Sequence, residues 1–172
     1  MDLAKLFETQ KVLRDRIVYN EPDRFDKLIL ALLVEIGECA NEWRGFKFWS
    51  KDQEPRTNVQ WDYTLDDEPI YRNLLLEEYV DGLHFVLELG LEFGWEPVVC
   101  DLYLKAVNVG QQFICIFNRV NIFATFRTKD AYYSLVELYI GLGEMLGFTW
   151  SQIEQAYFEK NQINHERQNN GY

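Results

Sequence analysis

Apolar positions recur with a helical period along most of this chain. Leu3, Leu6, Phe7, Val12, Leu13 and Ile17 place one apolar face on a helix over residues 3–19. Asp23 is suited to cap a second helix. Its apolar stripe, Leu28, Leu32, Ile36, Cys39 and Trp43, carries it to about Arg44, with Gly45 just past the end. Residues 46–69 break the pattern. They mix aromatics, charges, Pro55 and Pro69 and read as a long irregular connection, a kind of segment that is usually functional or mobile. Residues 70–93 return to a helical period and stop at Gly94. There Leu75, Leu76, Tyr79, Val80, Leu83, Val86 and Leu87 make most of the circumference apolar, which predicts a central, buried helix.

Further along, Pro97 opens another apolar stretch to about Phe126, with an interruption near Gly110. Thr128 caps the next helix, which stops at Gly147. Ser151 and Glu154 have capping-box spacing before a last helix that runs to about Asn164. No repeat, low-complexity tract or Asn-Gly hairpin turn interrupts the series. These elements predict an all-α bundle formed by a single domain over residues 1–172.

Composition narrows the function. A content of 48% apolar and 16% aromatic residues excludes a disordered chain. The net charge of −11 argues against a nucleic-acid partner, whose backbone needs clustered Lys and Arg. It does not exclude a small phosphate ligand, because a bound metal and a few local cations can reverse the field within one cleft. Cys39, Cys100 and Cys115 are odd in number, lie in apolar stretches and read as free buried thiols of a reducing compartment. The start, MDLAKLFETQ, lacks a signal-peptide core, and no long apolar run suggests a membrane partner, so the expected location is cytoplasmic.

Two acidic clusters carry the candidate chemistry. Glu35 and Glu38 form an E-x-x-E on the second helix, and Glu78 and Asp81 form an E-x-x-D on the third. Residues three apart share a helix face, so each cluster presents two carboxylates side by side. On the second helix, Glu35, Glu38 and Glu42 fall within roughly 60° of arc, bordering the core stripe. On the third, Glu77, Asp81, His84 and Glu88 form a narrow polar stripe on an otherwise apolar cylinder. Buried carboxylates are costly unless paired or metal-bound. A solvated face or structural ion pairs would explain the spacing alone. The buried character of the third helix favours a metal, and an oxygen-rich site suits Mg²⁺, which keeps waters and often holds substrate phosphates. A di-iron site of the ferritin kind needs two Glu-x-x-His motifs, and neither His84 nor His165 is so placed.

E-x-x-E followed by E-x-x-D on neighbouring helices resembles the signature of the all-α nucleoside triphosphate pyrophosphatases, which include MazG-type enzymes and the dimeric dUTPases. Three features are similar to the dimeric dUTPase branch. Gly45-Phe46-Lys47-Phe48-Trp49 looks like its aromatic-Lys-aromatic-Trp motif. Glu78-Tyr79-Val80-Asp81-Gly82-Leu83-His84-Phe85 looks like its E-x-x-D-x-x-H-F helix. The run from Lys160 to Tyr172 resembles its C-terminal K-N-x-x-N-x-x-R-Q-x-x-G-Y motif. The gap between the two acidic motifs is longer than in compact members, and the aromatic motif can slip by one position, so Phe48 and Trp49 are not separately assignable.

The resemblance implies Mg²⁺-dependent hydrolysis of dUTP to dUMP and pyrophosphate, extending to dUDP in some readings, by a homodimer. It implies that Glu35, Glu38, Glu78 and Asp81 bind Mg²⁺ and that Glu35 or Glu38 takes the proton from the attacking water. Lys160 and Arg167 would hold phosphates, with Lys47 and His84 also near the substrate. Asn161 and Asn164 would bond sugar or base, Phe48 or Trp49 would stack on uracil, and Gln10 would read its edge. For the aromatic pair core packing is the competing explanation, and for the C-terminal run a frayed polar end. The aromatic-rich stretch from Val99 to Phe126 is the candidate dimer interface, again against plain core packing. Two other functions stay open: a pyrophosphatase of the same fold with another base preference, and a non-catalytic helical interaction protein.

Overall fold

A computed structural model of the chain describes residues 3–17, 19, 21–95 and 103–171. Six helices and one small hairpin follow in the order α1 (Leu3–Arg16), α2 (Arg24–Trp43), β1 (Val59–Tyr63), β2 (Pro69–Arg72), α3 (Leu74–Phe93), α4 (Val109–Phe126), α5 (Lys129–Met145) and α6 (Trp150–Asn169). The fold is all-α. Helix α3 is central, packing against α1, α2, α5 and α6, while α4 packs on α5 and α2.

The sequence explains most of these elements locally. In α2 the buried residues Phe25, Ile29, Leu32, Ile36 and Cys39 are spaced by four and three, so they form one stripe that lies on α3. Its end is set by Arg44, which takes the left-handed conformation at φ 64° and donates its backbone N–H to the Ala40 carbonyl. A side-chain clamp holds Arg44 there. Its Nη2 lies 2.7 Å from the Asp52 carbonyl and 3.0 Å from the Asp52 carboxylate. Helix α3 is capped by Asn73, whose side chain accepts from the Leu76 N–H at 3.0 Å, and ends at Gly94 with φ 64°. Thr128 caps α5 as expected, accepting from the Ala131 N–H.

Tyrosines lock α3 to α5. Tyr79 and Tyr139 are fully buried and stacked with centroids 5.0 Å apart. Each hydroxyl donates to the other residue's carbonyl oxygen, Tyr79 at 3.2 Å and Tyr139 at 2.8 Å. Buried phenols need such partners. Gly82 and Gly143 make the room: a Cβ on Gly82 would collide with the Tyr139 hydroxyl, and one on Gly143 would lie 2.6 Å from the Tyr79 hydroxyl.

Several expectations need correction. Residues 46–69 are not wholly irregular. Val59–Tyr63 pairs antiparallel with Pro69–Arg72, in the register Val59 with Arg72 and Tyr63 with Pro69. Its turn is closed by Thr64, whose N–H donates to the Glu68 carbonyl at 2.7 Å and whose Oγ1 accepts from the Glu68 N–H, while Asp67 takes φ 60°. An aspartate, not glycine, supplies the left-handed residue. The strand at 69–72 also delays α3 from residue 70 to Leu74. The last helix starts two residues early. Its capping box is Thr149 with Gln152, not Ser151 with Glu154, and it extends beyond Asn164 to Asn169. Asn169 in that extension is tied to Arg16, while Lys160, earlier in the helix, is tied to Asp81. Of the cysteines, Cys39 is buried and Cys115 is exposed rather than buried, both free. Cys100, Pro97 and the first residues of the candidate interface lie outside the described residues. Among the described residues, no helix is long and apolar enough to cross a membrane.

Candidate functional site

Packing of α2 on α3 brings the two acidic clusters together. One carboxylate oxygen each from Glu35, Glu38 and Glu78 can be chosen so that all three lie within 4.8 Å of one another. Glu35 and Glu78 are half-buried, while Glu38 is exposed. Burial, and next the negative charges of Asp81 and Glu38, push the Glu35 carboxyl up to about 7. The same causes in the same order push Glu78 up to about 7. Such an arrangement is unfavourable for three anions and fits a hard cation that takes oxygen ligands from two helices and keeps positions for water.

Asp81 stands slightly apart from this trio. Its carboxylate accepts a hydrogen bond from the Lys160 ammonium of α6. Burial raises its pKa, opposed by Lys160 and then by Arg167. Three of the four expected ligands therefore converge on one point, and the fourth is engaged by a lysine. The remaining acids of the stripe have other partners. Glu42 faces Arg56 at 3.4 Å, and Glu77 pairs with Arg72.

A cleft of about 450 Å³ opens beside the acids. Glu35 and Asp81 line it together with Lys160, Asn164 and Arg167 of α6, and Leu13, Phe85 and His84 add apolar and aromatic surface. Three of its lining residues, Gln10, His84 and Glu88, belong to a polar chain. Gln10 is 6% exposed, and its Nε2 donates to Glu88 Oε2 at 2.9 Å. Its Oε1 lies 2.8 Å from both the Tyr157 hydroxyl and His84 Nδ1. Glu88 in turn is gripped by Arg24 at 2.5 Å and Arg14 at 3.4 Å, and both arginines also reach Glu92. Burial, with a smaller push from Lys160, drives the pKa of His84 down to about 3, so its ring is neutral.

The other expected residues lie as follows. Asn161 is buried, with its Nδ2 unpartnered. Lys47, Phe48 and Trp49 do not line the cleft. Lys47 donates to Asn41. Phe48 is 85% and Trp49 65% exposed, set edge-to-face with centroids 5.0 Å apart. This exposure removes core packing as the explanation of the aromatic pair. Residues not anticipated as part of the site are Arg14, Arg24, Phe85, Glu88 and Tyr157. Glu88 already stood in the polar stripe of α3, and Tyr157 is one turn before Asn161 on the same helix face. Nothing in the order of residues marks Arg14 or Arg24.

The all-α bundle thus gathers carboxylates from two packed helices, and Glu35 and Asp81 of these clusters line a cleft, an arrangement suited to a metal-assisted hydrolase of phosphate compounds. The chain matches the family model described as dUTPase over residues 2–172, nearly its whole length, and it belongs to that family. It is accordingly a dUTP diphosphatase that takes a deoxyuridine nucleotide as substrate. The family's use of a divalent metal agrees with the carboxylate trio. Compared with curated proteins, the chain has no match.

Proposed function

We propose that the chain hydrolyses dUTP to dUMP and pyrophosphate with Mg²⁺ held by Glu35, Glu38 and Glu78, joined by Asp81 once Lys160 releases it. The observation that carries this reading is the convergence of three carboxylate oxygens within 4.8 Å on two buried-sided helices. When bound, Mg²⁺ supplies charge neutralisation, phosphate alignment and a more acidic water. The chain's own residues do the rest. Glu35, half-buried beside the other acids, is proposed to take the proton from the attacking water, and Glu38 is the other candidate at this position. Lys160 and Arg167 line the cleft and are proposed to bind the phosphates, Lys160 as a mobile point charge and Arg167 through its planar fork.

Asn164 lines the same cleft, and Asn161 has an unpartnered amide nitrogen; both are proposed to bond the nucleoside. Phe48 or Trp49, exposed, set edge-to-face and outside the cleft lining, is proposed to fold over the outer face of uracil once the nucleotide is bound, with Lys47 on the same segment. Activity on dUDP follows if the γ-phosphate is not required for alignment. A homodimer is supported by apolar side chains left in solvent on two packed helices, Leu30 and Val34 of α2 and Ile114 of α4. The test is pyrophosphate release from each dNTP and dUDP with Mg²⁺, Mn²⁺ or EDTA, with light scattering for mass. Release from dUTP that survives EDTA, or equal release from dCTP, overturns the reading.

A further inference from the structure

The amide of Gln10 has its direction set by its neighbours. On one side is Glu88, a carboxylate bracketed by Arg14 and Arg24, which can only accept. Gln10 must therefore turn its nitrogen to Glu88, at 2.9 Å, and its oxygen to Tyr157 and His84, each at 2.8 Å. An amide oxygen cannot donate, so the proton of the neutral His84 ring sits on Nδ1 and the lone pair on Nε2. The ring is further fixed by stacking on Tyr157, with centroids 4.0 Å apart and planes at 22°. His84 is 6% exposed and lines the cleft, and its Nε2 has no hydrogen-bond partner. A buried acceptor left without a donor is uncommon and calls for an explanation.

We infer that His84 Nε2 is the acceptor that reads the ring N3–H of uracil, and that Glu88, Gln10 and Tyr157 are positioning residues that hold His84 in the one tautomer able to do so. This rests on the dUTP reading above. Uracil carries a hydrogen at N3 and cytosine a lone pair, so an obligate acceptor at that point attracts one base and repels the other. His84 lines the same cleft as Glu35 and Asp81, and Leu13 and Phe85 in that lining offer apolar surface that suits a flat ring. Water does not reach Nε2, so a donor that shifts the cleft wall to meet it displaces no solvent from that atom. The oxygen of Gln10 is already doubly used. Gln10 thus acts on the base through the histidine rather than by accepting from it.

The chain has two histidines, His84 and His165, so ¹⁵N-histidine labelling gives two separable rings, assigned with His165→Gln. In the free protein His84 should show a protonated Nδ1 and a bare Nε2. With Mg²⁺ and the non-hydrolysable α,β-imido analogue of dUTP, the Nε2 resonance should move towards the protonated position. The 2′,3′-dideoxyuridine analogue should do the same and the deoxycytidine analogue should not. In turnover, N3-methyl-dUTP should lose at least about 100-fold in kcat/KM. Tyr157→Phe and Glu88→Gln should lower the dUTP:dCTP ratio about tenfold or more, with a smaller fall in kcat for dUTP. A lone pair found on Nδ1, an unmoved Nε2 with the uridine analogue, or an equal shift with the cytidine analogue overturns the inference. Loss of the shift with the dideoxy analogue assigns the donor to the sugar hydroxyl and also overturns it. These readings come from the unaltered binding site, so an unfolded variant does not decide the matter. Absence of dUTP hydrolysis overturns the proposed function instead, while the free-state tautomer is still read independently.

Discussion

Replacing Glu78 with Gln tests the acidic trio from both sides. The three ligand oxygens lie within 4.8 Å of one another. At that separation two unit charges repel by about 3.5 kcal/mol at an effective dielectric of 20. Glu35 and Glu78 are only half-buried and Glu38 is exposed, so solvent screening reduces this to about 1 kcal/mol per pair. Glu78→Gln should therefore stabilise the metal-free protein at pH 8 by about 1 to 2 kcal/mol, which raises Tm by about 2 to 8 °C in a chain of this size. The same variant should lose most of the Tm rise that Mg²⁺ gives the unaltered protein, because a ligand stabilises only the fold that binds it. Its kcat for dUTP should fall by at least about 100-fold. Thermal melts with EDTA and with a Mg²⁺ series, beside pyrophosphate release, measure all three. An unchanged or lower metal-free Tm would refute the crowding argument, and wild-type turnover would refute the metal assignment.

Other consequences can be checked alongside. The carboxyls of Glu35 and Glu78 are raised by burial and by like charge to about 7, so the folded metal-free protein holds protons that the unfolded chain has released. Stability with EDTA should be fully present below about pH 4.5 as far as these two groups contribute. It should decline by about 1 kcal/mol per group as pH rises through 7, and the decline should vanish in Glu35→Gln/Glu78→Gln. Truncation after Glu159 should abolish most activity by removing Lys160 and Arg167. It should also lower Tm, since Asn161 is buried and the last turns of α6 tie to Arg16; full kcat/KM in the truncated chain would make that segment dispensable. Gly82→Ala should cost about 1 to 3 kcal/mol in denaturant melts by forcing Tyr139 off its carbonyl partner, and an unaltered midpoint would show that the pair yields.

The parts of the fold that were legible in the sequence are those decided by neighbours a turn away. The apolar wrap of α3, the four-three spacing of α2 and the Thr128 cap are local facts, and each has its place in the structure. The hairpin was hidden because its turn uses Asp67 and the Thr64 side chain instead of Asn-Gly, and because its strands carry exposed Trp61, Tyr63 and Tyr71 instead of an alternating buried face. The sequence leaves the capping box ambiguous because Thr149–Gln152 and Ser151–Glu154 satisfy the same spacing two residues apart, and only the reciprocal bonds of Thr149 choose between them. The acids were legible as helix-face pairs. The polar chain behind the cleft was not, since Gln10 and Glu88, or Asp81 and Lys160, meet only after the bundle forms. The exposure of Cys115 is not legible in its apolar stretch, because composition does not say which side of a helix is covered, and α4 turns Cys115 and Ile114 to solvent.

The crossed tyrosines between α3 and α5 have a mechanical meaning for the cleft. Two phenols that each grip the opposite backbone make the α3–α5 seam resist sliding as well as separation. The wall formed by α6 is joined to α1 and α3 chiefly by long polar side chains over its second half, among them Lys160 to Asp81 and Arg16 to Asn169. One side of the cleft is thus a chassis and the other a strap. Amide exchange should be slower along α3 and α5 than in the final turns of α6, as expected of a fixed wall that faces a looser one.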